Sequence, residues 1–292
     1  MSRLSSVERG HRSHRLSVLA NAGLTALKLG VGWISGSQAV LADGAHSLGD
    51  VLLSVAAWIG YRWSRVPADE DHHYGHGNGE ALAGLLVGLI LVFAGGGLLW
   101  GAFAWDRRTA HGALGAAAVA VVVVTMVAKL GLARAVGRAA AALNSQSLAA
   151  VARDHRADVY ASVLVLVGVV ASLAGLEVAE PIATFVVGCL VIRMGWTSVR
   201  EGFDTLMDRV PDTELRDRIG ATAGAVEGVR GVRDVRIHPL GSEYEIALEV
   251  LVDRALTVEQ GHSIAHCVVD AVVADHEHIR GVHVHVGPAG AD

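Results

Sequence analysis

The sequence predicts an α-helical membrane protein: six transmembrane helices followed by a small α+β domain. Three observations carry that prediction. Of 292 residues, 52% are hydrophobic and only 18% are charged, whereas about 25% is typical of soluble domains. Apolar runs long enough to cross a bilayer recur between residues 16 and 199. After Asp208 the pattern changes to short alternating stretches separated by helical periods, as a sheet covered by helices requires.

Residues 1–15 are polar and basic, with Arg3, Arg9, Arg12 and Arg15, and lack the apolar core of a cleavable signal. A first span is expected over 16–35, interrupted by Lys28, and a second over 39–62 after the turn Ser35-Gly-Ser-Gln38. Residues 63–79 form a loop dense in histidine and aspartate. The third span, uncharged from Ala81 to Trp105, is the clearest. A polar turn, Asp106 to His111, leads to a Val-rich fourth span over 113–132, closed by Lys129, Arg134 and Arg138. The fifth covers 147–174. The sixth, 181–199, opens at Pro181, where the first helical turn tolerates proline.

Six spans place both termini on one side, and arginines decide which. The N-terminal tail, the flank Arg62 and Arg65, and a 133–146 loop with Arg134 and Arg138 share a side. The opposite side offers only Arg107 and Arg108. Both termini are therefore expected in the cytoplasm of a multi-pass cell-membrane protein. The expected domains are 1–15 (tail), 16–208 (membrane) and 209–292 (cytoplasmic). In the last, Asp212 can cap a helix carrying Leu215, Ile219 and Ala223, and Val232–His238, Glu245–Val252 and Val282–Val286 alternate as strands. Thr257-Val-Glu-Gln260 is a capping box for a helix reaching about Asp275, which gives the order αββαβ. A net charge of −5 argues against a nucleic-acid partner. Two cysteines without a CxxC spacing, Cys189 and Cys267, support neither a disulfide scaffold nor a cysteine zinc site.

The chain's chemistry is concentrated in two spans. Asp43-Gly-Ala-His46-Ser-Leu-Gly-Asp50 lies in the second and Asp154-His155-Arg-Ala-Asp158 in the fifth. Residues at i and i+4 share a helical face, so His46 with Asp50, and Asp154 with Asp158, each form a pair of metal-type ligands. Ionisable groups at membrane depth are expensive and presumed functional. The alternative is that single polar residues merely join helices by hydrogen bonds, but facing acids without a cation would repel. The pairs are therefore expected to face each other around one divalent ion. Ligands that carry protons must release them to metal, which makes metal–proton antiport the natural chemistry. His155 can replace Asp154, pairing with Asp158 at i+3, and Asp43 is either a supporting residue or a helix-start cap.

A second candidate site is Asp69, His72 and His76 in the glycine-rich loop, weighed against a plain solvated loop. The C-terminal histidines are a third candidate. His276-Glu277-His278-Ile-Arg280 is not a zinc-protease motif, because Arg280 stands at the second ligand position. An intramembrane metal-dependent hydrolase therefore lacks its base, and no other enzyme signature is present. A membrane metal sensor that does not transport is the remaining rival.

Together these features resemble the cation diffusion facilitator family of divalent-metal/proton antiporters, over nearly the whole chain. The resemblance rests on the six-span plan, the ADxxHSxxD-like second span, the HxxDV-type fifth span, the YGHG loop and the αββαβ domain. It implies a homodimeric exporter with a transport site of His46, Asp50, Asp154 and Asp158 and a loop site of Asp69, His72 and His76. It further implies C-terminal metal positions at His262 and His285, and no cofactor besides the transported ion. Zinc is the first expectation by family frequency. A site of three oxygens and one nitrogen also admits manganese, iron, cobalt or cadmium. The chain departs from the family in three respects. Histidine is displaced from 154 to 155. Asn78 replaces a lysine that pairs across the dimer with the acid matched by Asp208. Arg233, Ala247 and Gly287 stand where some members have ligands. A two-metal C-terminal site is accordingly expected to be incomplete.

Overall fold

A computed structural model describes residues 3–104, 113–143, 146–210, 212, 214–241, 243–276 and 278–290. The expected Asp106–His111 turn and Glu277 lie outside the described residues. The chain forms two compact units, one of Met1–Val55 with Val87–Ser198 and one of Ala56–Leu86 with Val199–Asp292.

Six helices come first: α1 (Arg3–Ser35), α2 (Gln38–Ser64), α3 (Gly79–Phe103), α4 (Ala113–Leu143), α5 (Gln146–Leu173) and α6 (Ala179–Leu206). Five of them, α2 to α6, contain stretches long and apolar enough to cross a membrane. α1 runs back into the basic N-terminal segment, since no proline precedes Pro67 to break it. α4 also outruns its expectation. Arg134 and Arg138 do not begin a loop but sit on a helix that continues to Leu143, because the alanines around them are strong helix formers. The α1–α2 turn is made by Gly36 in the left-handed region (φ 73°) and Ser37, whose hydroxyl accepts from Val40 N and donates to the buried Glu180 at 2.5 Å.

In the first unit a core of small and β-branched side chains packs the helices: Ala39, Val40 and Ala42 of α2, Val121 and Val122 of α4, Val165 and Val169 of α5, Val187 and Val191 of α6. α3 and α6 approach closely through glycines seven residues apart. A Cβ on Gly195 would stand 2.7 Å from Gly88 O and 2.8 Å from Val92 N, and one on Gly95 would stand 2.6 Å from the Ile192 side chain. In the second unit Gly202 repeats the approach against Ala81 O at 2.7 Å. Small residues at helix interfaces let backbones meet where no hydrophobic force drives helices together.

The second unit also holds α7 (Leu215–Gly224), β1 (Val229–Leu240), β2 (Glu243–Val252), α8 (Val258–Asp275) and β3 (Ile279–Pro288). The sheet order is β1-β2-β3, with β1/β2 antiparallel and β2/β3 parallel across the α8 crossover. Ile246, Leu248, Val250 and Val252 of central β2 point to one face and meet Leu215, Ile219 and Ala223 of α7 and Val268 and Val272 of α8. α8 opens with the Thr257–Gln260 capping box, both halves present. Asp212 does not provide the expected side-chain N-cap. Its Oδ1 accepts from Glu214 N, its Oδ2 takes Arg218 at 2.5 Å, and the helix begins two residues later than a cap there would require.

The glycine approach predicts a specific sensitivity. Gly195→Leu should force α3 from α6 and destabilise the protein by about 1–3 kcal/mol, the usual range for overpacking. Gly97→Leu, where nothing lies within 4 Å, should be tolerated. Thermal inactivation of the two solubilised variants checks this.

Candidate metal centre

Two clusters of metal-type side chains form among the described residues: His46, Asp50 and Asp158, and Asp69, His72 and His76, each with ligand atoms all within 4.8 Å of one another. The first lies among the membrane helices. α2 supplies His46 and Asp50 from one face, as their spacing dictates, and α5 supplies Asp158. His46 Nε2 stands 3.7 Å from Asp158 Oδ1. His46 Nδ1 and Asp50 Oδ2 are buried with no hydrogen-bond partner among the described residues. Buried polar atoms are normally satisfied, so such orphans call for an explanation, an ion among them.

The structure does not bring Asp154 into this cluster. It is exposed one turn before Asp158, whereas His155 is buried with Nδ1 3.9 Å from Asp158 Oδ2. Asp43 is no exposed helix-start cap. It is almost wholly buried, with Oδ2 2.7 Å from Lys28 Nζ.

That pair belongs to a network the sequence reading passed over. Lys28 of α1 and Lys129 of α4 are both fully buried. Lys129 Nζ lies 2.5 Å from Asp158 Oδ2. Ser47 accepts from both lysines, at 3.3 Å from Lys28 and 3.2 Å from Lys129. Ser162 accepts from Lys28 at 3.1 Å and donates to both oxygens of Asp43. In sequence the lysines look like a span interruption and a span end. The available signal was their intramembrane charge, which demands partners, together with a serine four residues after each of Asp43 and Asp158.

The second cluster is built by backbone. After α2 the chain turns so that Asp69 Oδ1 accepts from the N–H groups of His72 (2.6 Å) and Asp71 (3.0 Å). The His72 backbone N–H foremost, with the His72 ring adding to it, holds the Asp69 carboxyl below the usual carboxylate range. Asp69 is therefore ionised at neutral pH. Gly75, at φ 76°, folds the loop back so that the rings of His72 and His76 come within 4.3 Å and His76 Nε2 within 3.6 Å of Asp69 Oδ2. His76 Nδ1 is another buried orphan. The loop is tied to the α+β domain: Arg280 donates to Tyr74 O at 3.0 Å, and the Tyr74 ring meets His238 edge-on. Asp208 binds His238 Nδ1 at 2.5 Å.

The C-terminal candidates sit on different elements. His262 lies on α8 with Nε2 3.1 Å from His266 Nε2. His285 is on β3, in register with Glu249. Glu249 is already engaged by Arg233 through a two-pronged contact at 2.9 and 3.2 Å, which holds its carboxyl low. A Cβ at Gly287 would fall 2.5 Å from Glu249.

Comparison with known proteins agrees in kind. The family described as "Cation efflux transmembrane domain" matches residues 15–207, and "Cation efflux protein, cytoplasmic domain" matches residues 211–289. The uncharacterized transporter YdbO of Bacillus subtilis is 32% identical over 99% of both chains. Metal tolerance protein C1 of Arabidopsis thaliana is 31% identical over 97% of this chain, which spans 63% of that protein. The manganese efflux system protein MneS of Bacillus subtilis is 29% identical over 99% of both.

Two outcomes follow from the geometry. Asp50→Ala and Asp158→Ala should each reduce metal flux to background while the protein still assembles. Asp154→Ala, outside the cluster, should weaken flux without abolishing it. Because Arg233 occupies Glu249, calorimetry on residues 209–292 should find fewer than two tight zinc ions per chain, and Arg233→Ala should increase the binding.

Proposed function

Because the chain belongs to the cation diffusion facilitator family of divalent-metal transporters, we propose that it is a homodimeric exporter that moves divalent metal out of the cytoplasm in exchange for protons. The observation that carries this is the His46–Asp50–Asp158 cluster, two carboxylates and an imidazole gathered from two membrane helices with unsatisfied buried atoms. These three hold the ion, and a fourth position is open to water or to a fifth-helix side chain, His155 or Asp154. A membrane sensor that does not transport has no use for a site built at this depth.

One imidazole with carboxylates suits zinc and the harder ion manganese alike. Zinc is the first candidate, and the manganese efflux named for one relative makes manganese the second. Coupling follows from ligand chemistry: imidazole and carboxylate protons must leave as the ion enters and return as it departs. Both termini are cytoplasmic in this reading, which the arginines of the N-terminal segment and of the α2–α3 and α4–α5 ends support. The loop site of Asp69, His72 and His76 is a second metal position, on the cytoplasmic side in this orientation. It is anchored to residues 209–292, the domain through which the dimer forms.

Reconstituted protein should take up zinc and manganese faster when the vesicle lumen is acid, and each ion loaded should carry protons the other way. Uptake that ignores an imposed pH gradient, with no counter-movement of protons, would exclude antiport. Binding without flux would favour a sensor.

A further inference from the structure

The cluster's third member, Asp158, is not free to give both oxygens to a metal ion. Its Oδ2 faces the ammonium of Lys129 at 2.5 Å and its Oδ1 faces His46 at 3.7 Å. Lys129 is completely buried, and besides Asp158 it donates to Ser47, the residue next to His46. The other buried lysine, Lys28, shares Ser47 but pairs with a different acid, Asp43 at 2.7 Å, and donates to Ser162.

We infer that Lys129 is a tethered cation built into the transport site: it holds Oδ2 of Asp158, leaves Oδ1 as the oxygen that reaches a metal ion, and thereby sets how tightly the site holds its cargo. The inference rests on the reading of His46, Asp50 and Asp158 as the transport site.

The physical argument is one of shared charge. A carboxylate that already neutralises an ammonium group offers less attraction to a second cation, and ligand charge count is a principal control on divalent affinity. The electrostatic effect is large at this depth, where little water screens it. Holding one oxygen also keeps Asp158 a single-oxygen ligand, so the site cannot close around the ion with both. A conducting site must bind well enough to load and weakly enough to release. A fixed lysine provides that weakness without removing a ligand. Lys129 is thus a positioning and affinity-setting residue that acts through Asp158, and it does not itself coordinate metal.

The test uses the full chain in proteoliposomes, with initial rates of zinc and manganese uptake measured against concentration at one fixed pH gradient. Lys129→Met removes the competing charge. Its half-saturating concentration should fall at least tenfold, and its maximal rate should fall as release slows. Lys129→Arg should act in the opposite sense: a guanidinium fork can take both carboxylate oxygens, so half-saturation should rise at least fivefold. A lysine that merely supports the fold would move both variants the same way. An unchanged or raised half-saturating concentration in Lys129→Met overturns the inference. Where the methionine variant gives no uptake, the arginine variant decides: a rise supports the inference, and an unchanged or lowered value overturns it. If neither transports, equilibrium manganese binding in detergent, read by electron paramagnetic resonance, is scored by the same signs. Asp158→Asn separates the two readings. Wild-type uptake in that variant defeats the site itself. Loss of uptake there, beside a methionine variant that does not tighten, defeats only the role of Lys129.

Discussion

Burial of charge among apolar helices is the constraint on which the membrane unit depends. Lys28, Asp43, Lys129 and Asp158 are removed from water by the packing of α1, α2, α4 and α5. None is tolerable there alone. Removing one partner of such a pair typically costs about 3–5 kcal/mol, because the other charge is left uncompensated. Ser47 and Ser162 complete the arrangement by accepting and donating between the pairs. The four helices are therefore held in one register by polar contacts, and His46 and Asp50 are placed opposite Asp158 as a consequence. Site and scaffold are the same structure.

The remaining helices are joined by a different force. α3 and α6 meet through glycines, where backbone and side chains of one helix lie close against the backbone of the other. Contact of that kind depends on close shape and not on charge. The ion pairs of the membrane unit, by contrast, fall on α1, α2, α4 and α5.

In the second unit, backbone geometry does what side-chain pairing does in the first. Asp69, His72 and His76 converge because Gly75 takes a left-handed turn and because two N–H groups fix the Asp69 carboxylate. Arg280 and His238 then hold the loop against the sheet domain of the same chain. Asp208 in turn meets the ring of His238, the residue that the Tyr74 ring touches.

The sequence by itself determined the elements and the chemistry of the site. Periods of 3.6 and 2, the capping box at Thr257 and the spacing of His46 and Asp50 are local, so they are legible without a fold. The loop cluster was legible too, because Asp69, His72 and His76 lie within one short segment. The end of α4 was misjudged, since arginine reads as a boundary to hydropathy while alanine-rich backbone continues the helix. Tertiary structure alone decided which side of α5 faces α2. Asp154 and His155 differ by one residue, about 100° of helical rotation, and only packing against neighbouring helices sets that angle. It alone decided, too, that Lys28 and Lys129 point inward to Asp43 and Asp158. A lysine near a span's end can equally extend its flexible stem toward water, and which way it turns depends on an acid more than a dozen residues distant in sequence, brought near only by the fold.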